Sequence, residues 1–122
     1  MTALSEHFDD SEFRCKCCKK LPIDGMNKEL IQLLEDIRIK LDTPVNITSG
    51  YRCEKHNTAC GGKPKSQHLL GSAADIQVNS MSAAEVHLFL EHNFYKRCKG
   101  LGKYPKFVHV DVRDGNLARW NG

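Results

Sequence analysis

An α+β domain, with a small antiparallel or mixed sheet and helices packed on one of its faces, is the fold this sequence predicts. Three observations predict it. From Asn27 to Leu41 the apolar residues fall at helical spacing. A second helix opens at the capping box Ser82-x-x-Glu85. Three short runs with strand patterning, Val45–Ser49, Ala73–Val78 and Phe107–Val112, are interspersed with these helices. At 122 residues the chain forms one domain, 1–122, with a modest core.

Residues 1–25 read as an irregular cover, with one helical turn around Asp10 to Phe13 and the turn Pro22-Ile23-Asp24-Gly25 at its end. The first helix follows, with Leu30, Leu33, Leu34, Ile37 and Leu41 as its buried stripe. Asp42-Thr43-Pro44 stops it, because the residue before a proline disfavours helical backbone. Val45 to Ser49 is a strand ending at Gly50. The polar, glycine-containing stretch from Tyr51 to Gln67 is a long loop, of a length that is usually functional or ordered by a ligand. Ala73 to Val78 is the next strand, and the capped helix runs to about His92. Cys98 to Lys106 reads as a turn-rich connector, Phe107 to Val112 as the last strand, and Asp114-Gly115 as a turn before a short tail.

Composition removes several classes of function. Hydrophobic content of 40% with 27% charged residues describes an ordinary folded domain rather than a disordered one. The net charge is only +3, with lysines and arginines scattered among acids and no basic stripe interleaved with aromatics. Nucleic acid is therefore not an expected partner, although weak attraction to an anionic polymer fits. No apolar run reaches membrane-spanning length, and the opening MTALSEHFDD reads as neither signal peptide nor anchor. The chain is expected to act as a monomer. Cys15, Cys17, Cys18, Cys53, Cys60 and Cys98 leave three states open: free or buried thiols, a disulfide framework, or a structural metal.

Two motifs carry chemistry. SQHLLGSAADIQV (66–78) sets His68 and Asp75 on either side of a small-residue turn. KFVHVDV (106–112) alternates strictly, with His109 and Asp111 on one strand face and Val108, Val110 and Val112 on the other. Two imidazoles and a carboxylate form a ligand set for a catalytic zinc, which uses three protein ligands and keeps a fourth position for water. Pattern alone leaves open a plainer reading, the satisfied polar face of an edge strand. His56 is a loop-fixing candidate; His7, His87 and His92 read as structural or surface residues. Tyr51 and Trp120 read as packing residues that could also line a cleft.

The runs SGYRCEKHN (49–57), SQHLLGSAADI (66–76) and FVHVDVR (107–113), in this order, resemble the zinc D-Ala-D-Ala carboxypeptidase family of peptidoglycan peptidases. The resemblance is closest to its small phage- and bacterial-type branch of murein peptidases, and LSEHFDDSEFRC (4–15) is similar to that branch's opening. It implies the family's α+β zinc fold, shared with the Hedgehog signalling domain. It also implies a Zn2+ cofactor held by His68, Asp75 and His109, and a peptidoglycan peptide as substrate. Arg52 matches the family's substrate-facing arginine, where a guanidinium fork grips a terminal carboxylate or stabilises an oxyanion. Ser66 and Gln67 are further candidates for substrate contact or loop shaping. Several branches of the family carry a glutamate base three residues before the last ligand, and here that position is Lys106. Asp111 is the substitute, either as the base or as the residue that orients a zinc-bound histidine. The implied reaction is amide hydrolysis of stem peptides or cross-links, as carboxypeptidase or endopeptidase. The missing glutamate keeps a second reading: a catalytically silent zinc module that binds a peptide or partner.

Overall fold

Asn27 opens the first helix through its side chain. In the computed structural model, which describes residues 2–122, Asn27 Oδ1 accepts from the N–H groups of Glu29 and Leu30 at 2.8 and 3.2 Å. Such a cap is worth about 1 kcal/mol. Helix α1 then spans Lys28–Leu41 and ends at Asp42, whose φ of 51° turns the backbone left-handed one residue before Thr43-Pro44. Leu30, Leu33, Leu34 and Ile37 are fully buried. Truncating a leucine at such a position costs about 2–5 kcal/mol, so this stripe fixes the face that α1 turns inward.

The remaining elements are β1 (Val45–Ser49), α2 (Glu54–Ala59), β2 (Ala73–Val78), α3 (Ala83–Asn93), β3 (Gly100–Lys103), β4 (Val108–Asp111) and β5 (Ala118–Asn121). The strands form one sheet in the order β1-β2-β4-β3-β5. All neighbours are antiparallel except β3 and β5, which run parallel, so the sheet is mixed. Its apolar face presents Ala74, Ile76, Val78, Leu101, Val108 and Val110 to the same core as the α1 stripe and to Val86 and Leu90 of α3. The α+β expectation, with helices against one face, is met. The α3 capping box also forms as predicted, Ser82 Oγ accepting from Glu85 N at 3.1 Å and Glu85 Oε1 accepting from Ser82 N at 2.8 Å.

Before α1 the chain is an irregular cover held by two buried aromatics, Phe8 and Phe13. Its 3-10 turn, Asp10–Glu12, sits within one residue of the expected position, and Gly25 closes the predicted turn with φ 78°. The cover lies tightly on the sheet. Tyr51 N donates to Phe13 O at 2.9 Å, and a side chain at Gly50 would collide with the Phe13 backbone.

Three expectations are corrected. The stretch read as a loop from Tyr51 to Gln67 contains α2, capped unusually by a cysteine: Cys53 Sγ accepts from His56 N at 3.5 Å. The connector from Cys98 to Lys106 contains β3, and the tail after Gly115 contains β5. Both strands are short, and β3 is half glycine. They exist because β3 pairs with β4 on one side and β5 on the other, a non-local gain that local propensity does not register.

Candidate metal centre

One transverse row of the sheet carries the site. Ser49 pairs with Asp75, Asp75 with His109, His109 with Gly102, and Gly102 with Trp120. Residues opposite one another in a sheet share a face, so Asp75 and His109 lie side by side on the face away from the main core. Strand β4 is central, between β2 and β3. The plainer reading of a polar edge-strand face therefore does not hold. A break in the β1–β2 register between Ile47 and Ser49 re-aims the end of β1.

His68 reaches the row from a separate element. The 3-10 turn Gln67–Leu70 begins at Ser66, whose Oγ accepts from His68 N at 3.2 Å, and ends at Gly71 with φ 71°. His68 Nδ1 donates to Gly50 O at 2.7 Å. A carbonyl only accepts, so the proton sits on Nδ1 and the Nε2 lone pair is left for the site. Nε2 lies 3.2 Å from Asp75 Oδ1. His109 is fixed in the opposite sense: Nε2 contacts Asp111 Oδ2 at 2.7 Å, while Nδ1 lies 3.2 Å from the same Asp75 Oδ1.

These three atoms fit a metal. Zinc–nitrogen and zinc–oxygen bonds of about 2.0–2.1 Å put the corners of a tetrahedron roughly 3.3 Å apart. Both imidazoles stand 3.2 Å from Asp75 Oδ1, and His68, Asp75 and His109 are all buried. Each imidazole has its other nitrogen tied to an acceptor, the arrangement that orients metal-binding histidines.

Asp111 is completely buried beneath His109. Its Oδ2 takes His109 Nε2 and Arg113 Nη2 (2.8 Å), and its Oδ1 takes the backbone N and Nε of Arg113, both at 3.0 Å. Burial alone would raise both carboxyls. The histidine hydrogen bonds, joined at Asp111 by those of Arg113, outweigh it and hold Asp75 and Asp111 well below the usual carboxylate range. At His109 burial favours the neutral ring, but the hydrogen bonds of Asp111 and Asp75 prevail and raise its pKa. In the absence of a metal these carboxylates favour the protonated form of His109.

Above the row lies a cleft of about 400 Å³ whose lining includes Arg52, Ser66, Gln67, His68, Asp75 and His109. Arg52 is braced rather than free. Its Nε donates to Ser49 Oγ (3.1 Å), Nη1 to Asn57 Oδ1 (3.4 Å) and Nη2 to Asp75 Oδ2 (3.1 Å). Three of its five N–H donors are so engaged, and two remain. Ser66 serves as the cap of His68's turn, and Gln67 Oε1 accepts from Ser72 Oγ at 2.8 Å, so both shape the loop that presents His68. Lys106 is exposed, outside this lining. His56 contacts Cys60, His7 pairs with Glu35, and half-buried His87 and exposed His92 lie on α3.

Arg113, Gly100 and Gly102 escape the sequence reading, which offers Trp120 chiefly as a packing residue. Trp120 lines the cleft, its ring 5.0 Å from that of His109, and its Nε1 donates to Tyr104 Oη at 2.9 Å. Arg113 lies over Trp120 at 5.2 Å while gripping Asp111. Gly100 and Gly102 make room for this layer: a side chain at Gly100 would strike the Asp111 carboxylate, and one at Gly102 the Trp120 indole. The available signal was the G-x-G spacing of 100–102 opposite the H-x-D of 109–111.

No curated protein matches this chain. The family model described as Peptidase M15 matches residues 6–111, a span that holds most of the cover together with Arg52, His68, Asp75, His109 and Asp111. With the ligand set fitting zinc, the metal of that family's enzymes, and the match running over most of its length, the chain belongs to the Peptidase M15 family of zinc metallopeptidases.

Proposed function

We propose that this protein hydrolyses peptide bonds in bacterial peptidoglycan, acting on stem peptides or their cross-links, with zinc held by His68 Nε2, Asp75 Oδ1 and His109 Nδ1. The observation that carries the reading is the convergence of those atoms, each fixed from behind, on the floor of an open cleft. Zinc bound there supplies a water of near-neutral pKa and polarises the scissile carbonyl.

The chain's own residues do the rest. Gly50 O and Asp111 hold the two imidazoles in the tautomers that ligation needs. Arg52, with two N–H donors left, and Lys63, Lys65 and Arg113 at the cleft give it a cationic wall. That charge suits a stem peptide, which carries free carboxylates. Asp111 acts as the orienting residue of His109, since both its oxygens are committed and water has no access to it.

One observation favours the silent-module alternative. Asp75, itself a ligand, is the only carboxylate in the cleft lining among the described residues, so no separate carboxylate base stands ready. Turnover decides between the two. Release of amino groups from purified peptidoglycan or synthetic stem peptides, abolished by chelator and by His68→Ala, is the expected result. Stoichiometric zinc with peptide binding but no turnover on either substrate would leave the silent module.

A further inference from the structure

Cys15, Cys18 and Cys53 form a group separate from the catalytic row and line no part of its cleft. We propose that these three thiols bind a second, structural zinc ion that clips the N-terminal cover to the start of α2. The three Sγ atoms all fall within 4.8 Å of one another, although Cys15 and Cys53 are 38 residues apart in sequence.

The spacing is that of a thiolate metal site rather than a disulfide. Cys15 Sγ and Cys53 Sγ are 3.6 Å apart. A zinc–sulfur bond of 2.3 Å places tetrahedral sulfurs roughly 3.8 Å apart, whereas a disulfide needs about 2.05 Å and would leave Cys18 unused. Cys15 and Cys18 stand as C-x-x-C on a tight knuckle. Lys19 N donates to Cys15 O at 2.8 Å, Cys15 N donates to Lys20 O at 2.9 Å, and Lys19 takes φ 64° to close the turn. This folds Cys18 back toward Cys15.

Backbone donors reach two of the sulfurs. Cys53 N donates to Cys15 Sγ at 3.5 Å. His56 N donates to Cys53 Sγ at 3.5 Å. N–H groups aimed at sulfur favour the thiolate, the form that binds metal. Thiolates gathered this closely repel one another unless a cation lies between them. Cys18 and Cys53 are only half-buried, so water or the exposed Cys17 has access to the fourth position.

The clip would brace the segment that carries Gly50, whose carbonyl grips His68, and Arg52, which grips Asp75. The test uses the full chain, produced with zinc and purified without chelator. Two zinc ions per chain are expected. His68→Ala and Cys18→Ser should each retain one. Cobalt substitution separates the sites, because only sulfur ligands give a near-ultraviolet sulfur-to-cobalt charge-transfer band. That band should persist in His68→Ala and vanish in Cys18→Ser. Should Cys18→Ser fail to fold, the His68→Ala spectrum alone decides. Overturning results are His68→Ala without metal, with no charge-transfer band and freely alkylated thiols, or a Cys15–Cys53 disulfide mapped by mass. Failure of the catalytic reading leaves the band intact, so the two proposals fail separately.

Discussion

Replacing Asp111 with asparagine separates an orienting role from a basic one. The substitution keeps the shape and removes one acceptor. Four donors converge on this carboxylate: His109 Nε2 and Arg113 Nη2 on Oδ2, Arg113 N and Nε on Oδ1. An amide offers one oxygen. If that oxygen faces the Arg113 backbone, the NH₂ group meets His109 Nε2 and Arg113 Nη2. His109 then has to accept at Nε2 and carry its proton on Nδ1, the atom proposed to bind zinc. If the amide is flipped, two Arg113 donors face NH₂ instead. Either way at least one charge-assisted hydrogen bond is lost, worth about 1.5–3 kcal/mol. At 1.4 kcal/mol per decade this is roughly a 10- to 100-fold loss of zinc affinity, the range expected for a residue that orients a metal-bound histidine. The assay is activity in a series of zinc buffers, because its midpoint reports the catalytic metal and ignores any structural one. Asp111→Asn should shift the midpoint by that factor and retain most activity at saturating zinc. An unshifted midpoint with a loss on the order of 10²–10⁴-fold at saturation would refute the reasoning and make Asp111 the base.

Gly100→Ala should reproduce the Asp111→Asn midpoint shift without touching a polar group, because the new methyl strikes a fully buried carboxylate that cannot move aside. Calorimetry should show a stability loss of about 1–3 kcal/mol, the usual cost of overpacking. Arg52→Lys should leave the fold intact but lower turnover, since an ammonium cannot span Ser49, Asn57 and Asp75 together. A larger KM effect on substrates with a free C-terminus than on amidated ones identifies a carboxylate clamp, equal loss on both identifies oxyanion stabilisation, and wild-type kinetics on both would remove Arg52 from the mechanism. Zinc affinity of the metal-free protein should weaken as pH falls through the raised pKa of His109, by roughly tenfold per unit for one displaced proton. Thermal stability of the metal-free protein should move the other way. A raised histidine pKa stabilises the fold fully below the unfolded value, and that contribution is lost as pH rises through the folded one. A zinc affinity that is flat between about pH 6 and pH 8 would mean that His109 is not a ligand.

The parts of this molecule legible in its sequence are those whose signals are local. The α1 stripe, the Ser82–Glu85 box and the alternation around His109 each occupy one short window, and each forms as expected. Helix α2 was hidden because its cap is a sulfur, a poor statistical signal beside serine or aspartate. Strand β3 was hidden because its two glycines look like turn residues. They are glycines because Asp111 and Trp120 occupy the space their side chains would fill. Residue types and motif spacing marked His68, Asp75 and His109 as a group. The register that sets Asp75 against His109, and the backbone carbonyl that orders His68, depend on contacts far apart in the chain. So does the Trp120 wall, which a parallel strand brings in from the tail.

The transverse row has a further consequence for how such a molecule can change. Ligand spacing here is inherited from the hydrogen-bond ladder of β2 and β4, whose other face is the core. A slip of one residue would turn His109 inward and Val110 outward, so a correctly paired sheet and an assembled centre arise together. The walls of the cleft are built differently. The stretch from Cys60 to Lys65 and the hairpin around Tyr104 and Phe107 line it from outside the ladder. Insertions or exchanges there can alter which peptide fits while the ligand plane stays put. Retargeting this scaffold therefore calls for editing its rim and leaving its weave alone.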